Sequence, residues 1–255
     1  MNKSTAGPPQ GATAPSGGSE PHAVGSVGAL KPRIVFFDLD HTLIPFDSDY
    51  AWGQFTTQLG WTDGPEFDRE NDRFYADYKA GTLDIHAYVR FSTEAIRRQG
   101  ATKSIAAHAD FMGAVVQKDI KSQALELVRQ HQQAGDTVVV VTATNEFVTR
   151  PIAKALGVDE LIAIELETDS PSAWYTGEIR GTPSFREGKV TRVRQWLHNR
   201  GLDWAGIHST FYTDSINDLP LMERVNVPVA TNPDATLRQI ALERGWRILD
   251  LFQSQ

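Results

Sequence analysis

The 255-residue chain contains no cysteine, which excludes disulfides, thiol nucleophiles and Cys-ligated zinc or iron–sulfur centres. It also lacks any apolar run of about 18 residues, the length that a membrane-spanning helix needs. Basic side chains are in the minority, 25 Lys and Arg against 32 Asp and Glu, for a formal charge of −7. That balance argues against a polyanion-binding groove, so neither nucleic acid nor membrane is expected as a partner. Residues 1–32 are poor in large apolar side chains, and from Ser4 to Leu30 Gly, Pro, Ser, Ala and Thr dominate. Such a composition buries too little apolar surface to offset the entropy of ordering, and predicts a disordered tail. The tail also lacks the apolar stretch of a secretory signal and the arginines of a mitochondrial presequence. A cytoplasmic location is the expectation.

What is present is an alternation of strand-like and helix-like segments. Arg33–Asp38 (RIVFFD) and Thr137–Val141 (TVVVV) are short apolar runs ending at polar residues, as buried parallel strands do. Further strands are expected near 161–166, 174–179, 209–213 and 227–230, with helices between them. Residues 52–120 read instead as a run of helices. Pro65–Ala80 stops at Gly81, Thr82 caps the next helix to Gly100, and Thr102 caps the one after. The pattern predicts a Rossmann-like α/β fold, a parallel sheet with helices on both faces, with a helical insertion after the first strand. The core would comprise 33–51 and 121–255, and the insertion, or cap, 52–120.

In open α/β folds, ligands gather at the carboxyl ends of the strands. Four polar clusters fall there: Asp38-Leu39-Asp40-His41-Thr42, Thr142-Ala143-Thr144-Asn145, Lys189 at a helix start, and Asp214-Ser215-Ile216-Asn217-Asp218. Asp38 and Asp40 are two apart, so extended geometry points both carboxylates to one side. Paired like charges raise one pKa unless a cation intervenes, and can divide into an ionised nucleophile and a protonated acid. Oxygen ligands without His or Cys favour Mg²⁺ over zinc. Plainer readings exist for each cluster. Asp40 and Thr42 can make a turn, Asp214 or Asn217 can cap a helix at Leu219, Thr142 can be a β-branched strand residue, and Lys189 can be a solvated lysine.

Together, an Asp pair, a Thr hydroxyl, a Lys and a second acidic pair are the parts for phosphoryl transfer through an aspartate. In FFDLDHTLI, VVVVTATNEFVTRPIAKALG, GKV and YTDSINDLPLM, from about Arg33 to Leu251, the sequence resembles the haloacid dehalogenase-like (HAD) hydrolase superfamily. It is most similar there to the phosphoserine-phosphatase-like subgroup that includes bacterial histidinol-phosphatase types. The resemblance implies a Mg²⁺-dependent phosphomonoesterase acting on a small phosphorylated metabolite. In it Asp38 would be the nucleophile, Asp40 the general acid and base, and Thr142 and Lys189 the phosphoryl-binding groups. Asp214 would ligate the metal with Asp38 and the main-chain carbonyl of Asp40, with Asp218 in support, while Ala143 and Asn217 would line the phosphate site.

In this superfamily a helical cap reads the leaving group. The loop Ile44–Tyr50 runs from the Asp pair toward the expected cap, and Asp47 and Asp49 there would meet a cationic amine or imidazole, turn formation being the plainer reading. Phe74, Tyr75, Tyr78 and Phe91 are expected in the cap core, and His41 beside the site without a role as a base. Thr142-Ala143-Thr144 stands where phosphoserine phosphatases carry Ser-Gly-Gly, so histidinol phosphate is the leading substrate expectation. Phosphoserine or another small metabolite is the alternative. A phosphomutase would share the same residues, and a non-catalytic binding protein would be expected to have lost one. A signalling receiver domain is excluded by length and by the absence of a cap in that family.

Overall fold

The computed structural model describes residues 31–170 and 173–252. The tail expected over residues 1–32 therefore lies outside the described residues except for its last two. Strand β1 (Arg33–Phe37) leads into helices α1 (Ser48–Gln58), α2 (Gly64–Ala80), α3 (Ile85–Ser92) and α4 (Glu94–Phe111), a π-helical stretch at Met112–Val116 and the short α5 (Gln117–Asp119). Then follow α6 (Ser122–Gln133), β2 (Thr137–Asn145), α7 (Glu146–Ala155), β3 (Glu160–Ile164), β4 (Leu166–Thr168), β5 (Tyr175–Ile179) and α8 (Glu187–His198). The chain continues through β6 (His208–Thr213), a 3-10 turn at Ile216–Asp218, α9 (Leu219–Met222), β7 (Val227–Thr231), α10 (Ala235–Arg244) and β8 (Arg247–Leu249).

Six strands form one sheet in the order β3-β2-β1-β6-β7-β8, each neighbouring pair parallel, while β4 and β5 make a separate antiparallel pair. The unbroken apolar runs follow from burial on both faces. Val35 and Phe37 of β1, with Val138 and Val140 of β2, enter one cluster beneath α1, α6 and α7. Ile34, Phe36, Val139 and Val141 enter the other, against Val193, Trp196 and Leu197 of α8. The period of two along each strand thus assigns alternate side chains to opposite layers.

Part of the helical run after β1 packs into the sheet's own core, since Trp52, Ile96, Phe111, Met112 and Val116 share the first cluster. Helices α2 and α3 instead pack on each other through Phe67, Phe74, Tyr88 and Phe91, with the Phe67 and Phe91 rings stacked at 4.8 Å. Val89 of α3 rests on Ile164 and Leu166, tying that helix to the β4–β5 hairpin. The start of α3 differs from the sequence expectation. Asp84, not Thr82, caps it, accepting from the His86 and Ala87 amides at 3.0 and 3.1 Å. Thr93 then interrupts the run, its hydroxyl turned back to the Val89 carbonyl at 2.6 Å. The stretch Glu94–Phe111 is two helices joined at a kink at Gly100, φ 76° and ψ 171°, where the sequence expected one helix to end and the next to begin, although no side-chain cap bond from Thr102 marks the restart. Among the described residues no helix is long and apolar enough to cross a membrane.

Candidate active site

The carboxyl ends of β1, β2 and β6 open on one cavity of about 700 Å³. Its floor holds Asp38, Asp40, Thr142, Ala143, Asp214 and Asn217. Below the floor lies Lys189, in the first turn of α8 and only 2% exposed. Its ammonium donates to Asp38 Oδ1 and to Asp218 Oδ2, both at 2.7 Å. Thr213 donates to the same Asp218 oxygen at 2.7 Å. The solvated-lysine reading therefore fails, and three of the four clusters meet at one ammonium. Asp218 braces the lysine through that oxygen, whereas Asp214 stands across from Asp38. The Thr42 hydroxyl lies between the latter two, 3.5 Å from Asp38 Oδ2 and 3.4 Å from Asp214 Oδ1.

Asp40 has a partner on each oxygen. The Ser48 amide donates to Oδ1 at 2.8 Å and the Thr144 hydroxyl to Oδ2 at 2.9 Å. Its side chain is thereby aimed into the cavity and held by the first turn of α1 and the end of β2. Thr142 Oγ1 accepts from the Thr144 amide at 3.1 Å, which fixes its rotamer at the strand end. The helix-cap reading of the fourth cluster also fails, since it is Ser215 that accepts from the Asn217 amide at 3.2 Å.

Electrostatically the site is strained toward negative charge. Burial pushes the Asp38 carboxyl up to about 7, with Lys189 pulling it back and Asp218 and Asp40 pushing it further. Asp40 rises to about 6, from burial and then the charge of Asp47, against the donors of Ser48 and Thr144. Asp214 stands well above the usual carboxylate range, through burial and repulsion from Asp38 and Asp218. Burial also opposes the Lys189 charge, but Asp218 and Asp38 outweigh it and raise its pKa above the ordinary lysine value. Three carboxylates thus share one ammonium, and a divalent cation beside Asp38 and Asp214 would remove the imbalance. Among the described residues no three His, Cys, Asp or Glu side chains converge as an all-protein metal cage. One or two carboxylates completed by main-chain carbonyl and water is a donor set that suits magnesium and not structural zinc.

The walls correct two sequence expectations. Tyr75 and Tyr78 of α2 line the cavity, Phe74 reaches it while staying buried against Tyr88 and Phe91 as expected, and Phe91 is confined to packing. Helix α2 contributes these side chains to the lining, so the helical spacing that suggested a core stripe also presents a cavity wall. Asp47 lines the cavity and caps α1 by accepting from the Tyr50 amide at 2.8 Å, which is the plainer of its two readings. Asp49 is elsewhere: it is buried, accepts from Asn145 Nδ2 at 3.3 Å and is hydrogen-bonded to Tyr88. His41 borders the cavity in a left-handed conformation at φ 55°, its carbonyl accepting from Asn232 Nδ2 at 2.8 Å.

Of the four described non-glycine residues at positive φ, His41, Arg186 and Asn232 border this site or its loops, and Ala173 does not. Backbone strain of this kind gathers where a surrounding structure enforces it. Thr42, Ser48, Thr144, Thr213 and Asn232 hold the site together and were not singled out from sequence as partners. The D-x-D-x-T spacing pointed toward Thr42 and the second polar cluster contained Thr144, but neither was given a partner.

The haloacid dehalogenase-like hydrolase family matches residues 35–223. The chain belongs to this family. It is 42% identical over 219 residues to a protein named histidinol-phosphatase from Neisseria meningitidis serogroup C, a match covering 86% of this chain and 98% of that one. A crystal structure of a Bordetella pertussis protein of unknown function superposes with a TM-score of 0.82 at 46% identity, over 87% of this chain and all of that one. A substrate-bound phosphoserine phosphatase shares the fold, with a TM-score of 0.59 at 14% identity, over 86% and 93% of the two chains. The HAD chain is accordingly a phosphatase with the α/β fold of that family.

Proposed function

We propose that this HAD phosphatase hydrolyses a small phosphomonoester through a phosphorylated Asp38, with Mg²⁺ as cofactor and histidinol phosphate as its leading substrate. The observation that carries the chemistry is the placement of Lys189, bonded at 2.7 Å to Asp38 and Asp218 directly beneath the cavity floor. A phosphate dianion can approach a carboxylate only where positive charge is already in place, and this ammonium is fixed before substrate arrives. When bound by Asp38, Asp214 and the Asp40 carbonyl, Mg²⁺ would supply further charge neutralisation of the transferring group.

Asp38 attacks phosphorus as the bond to the leaving oxygen breaks, and Asp40 gives that oxygen its proton. Asp40, at about 6, is poised for that proton transfer near neutral pH. Water then attacks the phosphoryl group, Asp40 takes up its proton, and inorganic phosphate leaves with Asp38 restored. The Thr142 hydroxyl, accepting from the Thr144 amide, donates to the phosphoryl oxygens, with Ala143 and Asn217 alongside. Helices α2 and α3 act as the cap that excludes bulk water meanwhile.

The substrate assignment rests on the N. meningitidis relative and on the cavity wall. Asp47 stands there among Tyr50, Tyr75, Tyr78 and Tyr88, an acidic and aromatic lining suited to a small cationic leaving group. A cytoplasmic site of action agrees with a metabolite substrate. The test is phosphate release across histidinol phosphate, phosphoserine and sugar phosphates, with and without Mg²⁺ and with Asp38→Asn as the blank. Expected is Mg²⁺-dependent release that prefers the amino-alcohol ester and vanishes in the variant. Metal-independent turnover, or an active Asp38→Asn, would overturn the mechanism, and preference for a sugar phosphate would overturn the substrate.

A further inference from the structure

The last turn of α2 is fastened to two of the segments that carry the site's charges, the loop of Asp214 and Asp218 and the turn before Lys189. At one point Tyr78 donates from its hydroxyl to Ser215 Oγ at 3.2 Å, and its carbonyl accepts from Asn217 Nδ2 at 3.0 Å. At the other, the Arg186 guanidinium donates to the carbonyl of Gly81 at 2.6 Å, where α2 ends in a left-handed cap. A cation there also meets the negative end of the helix dipole. Phe185, beside it, tilts against the Tyr78 ring at 6.0 Å.

The segment around Arg186 is tight. Gly188 passes so close to Pro183 that a Cβ there would sit 2.0 Å from the Pro183 carbonyl oxygen. Ser184 is fully buried and donates to the Thr142 carbonyl, and the Lys189 amide donates to the Arg186 carbonyl at 3.0 Å. Within this turn Arg186 adopts φ 53° and ψ −123°, a conformation that glycine takes easily and a branched-out side chain does not. A glycine would suit the backbone better, so the backbone does not explain the arginine. Among the described residues, its side chain's hydrogen-bonding partner beyond its own turn is the end of α2.

Resting on the phosphatase reading above, we propose that Arg186 is a positioning residue that holds the last turn of α2 at the cavity wall and links its seating to the turn presenting Lys189. Substrate binding against α2 would then be transmitted to the lysine, and an unseated α2 would leave the lysine's turn less well held. Arg186 touches neither substrate nor metal in this scheme.

The experiment compares the full-length protein with Arg186→Gly and Arg186→Lys. Phosphate release from p-nitrophenyl phosphate with Mg²⁺ is measured beside amide hydrogen exchange over 74–82 and 186–192. Expected for Arg186→Gly is an unchanged or higher Tm, exchange roughly tenfold faster in both segments, and kcat lowered roughly tenfold with KM changed less. Tenfold is the factor of one charge-assisted hydrogen bond. Arg186→Lys, which keeps a donor and the charge, recovers part of both effects. Unchanged exchange and kcat in Arg186→Gly would overturn the proposal, as would faster exchange confined to 186–192. If the parent releases phosphate from neither p-nitrophenyl phosphate nor histidinol phosphate, the proposed function fails, and the exchange at 74–82 alone decides the role of Arg186.

Discussion

At the scale of single residues, the site is a problem of charge placement. Lys189 is the one ammonium among Asp38, Asp214 and Asp218, and it is almost fully buried. Removing it strands like charges in a desolvated space, a change that typically costs about 3–5 kcal/mol. Lys189→Met should therefore lower Tm sharply as well as abolish turnover, measured by calorimetry at neutral pH. An unchanged Tm would mean that the carboxylates are better solvated than their burial indicates. Asp40 acts on a different step. Asp40→Asn removes the proton donor, which matters most for alkyl esters with basic leaving oxygens, where general acid catalysis contributes roughly 10²–10⁴-fold. With p-nitrophenyl phosphate, whose leaving group needs little help, the same variant should give a burst of nitrophenol followed by slow turnover. Equal losses on alkyl and aryl esters, without a burst, would remove Asp40 from the role of acid.

At the scale of elements, local capping decides where helices begin, and one such point separates sequence from structure. Thr82 and Asp84 are both capping residue types, two positions apart. Asp84 has the two amide donors, because Thr82, Leu83 and Asp84 stay outside helix and α3 starts only at Ile85. Asp84→Ala should cost about 1 kcal/mol, and Thr82→Ala much less, by urea unfolding. A reversed order would restore the sequence reading. The strands were legible because burial on both faces leaves unbroken apolar runs such as TVVVV. Three of the four polar clusters were legible because each closes a strand, and Lys189 because it opens a helix after Gly188. Helix α2 was legible as a helix, yet the role of its aromatic face was not. Periodicity states that Phe74, Tyr75 and Tyr78 share a side, but not whether that side meets a core or a cavity. The partners that hold the site, Thr144 on Asp40 and Ser48 across eight residues, depend on how a loop returns. No spacing rule encodes that.

At the scale of the whole molecule, the buried acids make the fold sensitive to pH. Asp38 and Asp49 stand at about 7 and Asp40 at about 6, all raised first by burial from an unfolded value of 3.8, and Asp214 is raised in the same direction. Between pH 4 and 7 the folded chain thus holds more protons at these groups than the unfolded chain does. Their contribution is present below about pH 4 and is lost as pH rises through the folded values. His41 and His108 work against this, because burial holds them below their ordinary value and stability is gained as pH rises through that range. Comparing the parent with Asp38→Asn separates the two, since both carry the same histidines. In EDTA the variant should become more stable than the parent as pH goes from 5 to 8, by about 1–2 kcal/mol at pH 8, or roughly 3–6 °C in Tm. Millimolar Mg²⁺ should raise the parent's Tm at pH 8 and narrow that gap, because a cation that binds the ionised pair stabilises only the folded state. A gap independent of pH would show that Asp38 is already ionised without metal. A gap unaffected by Mg²⁺ would remove Asp38 from the metal site.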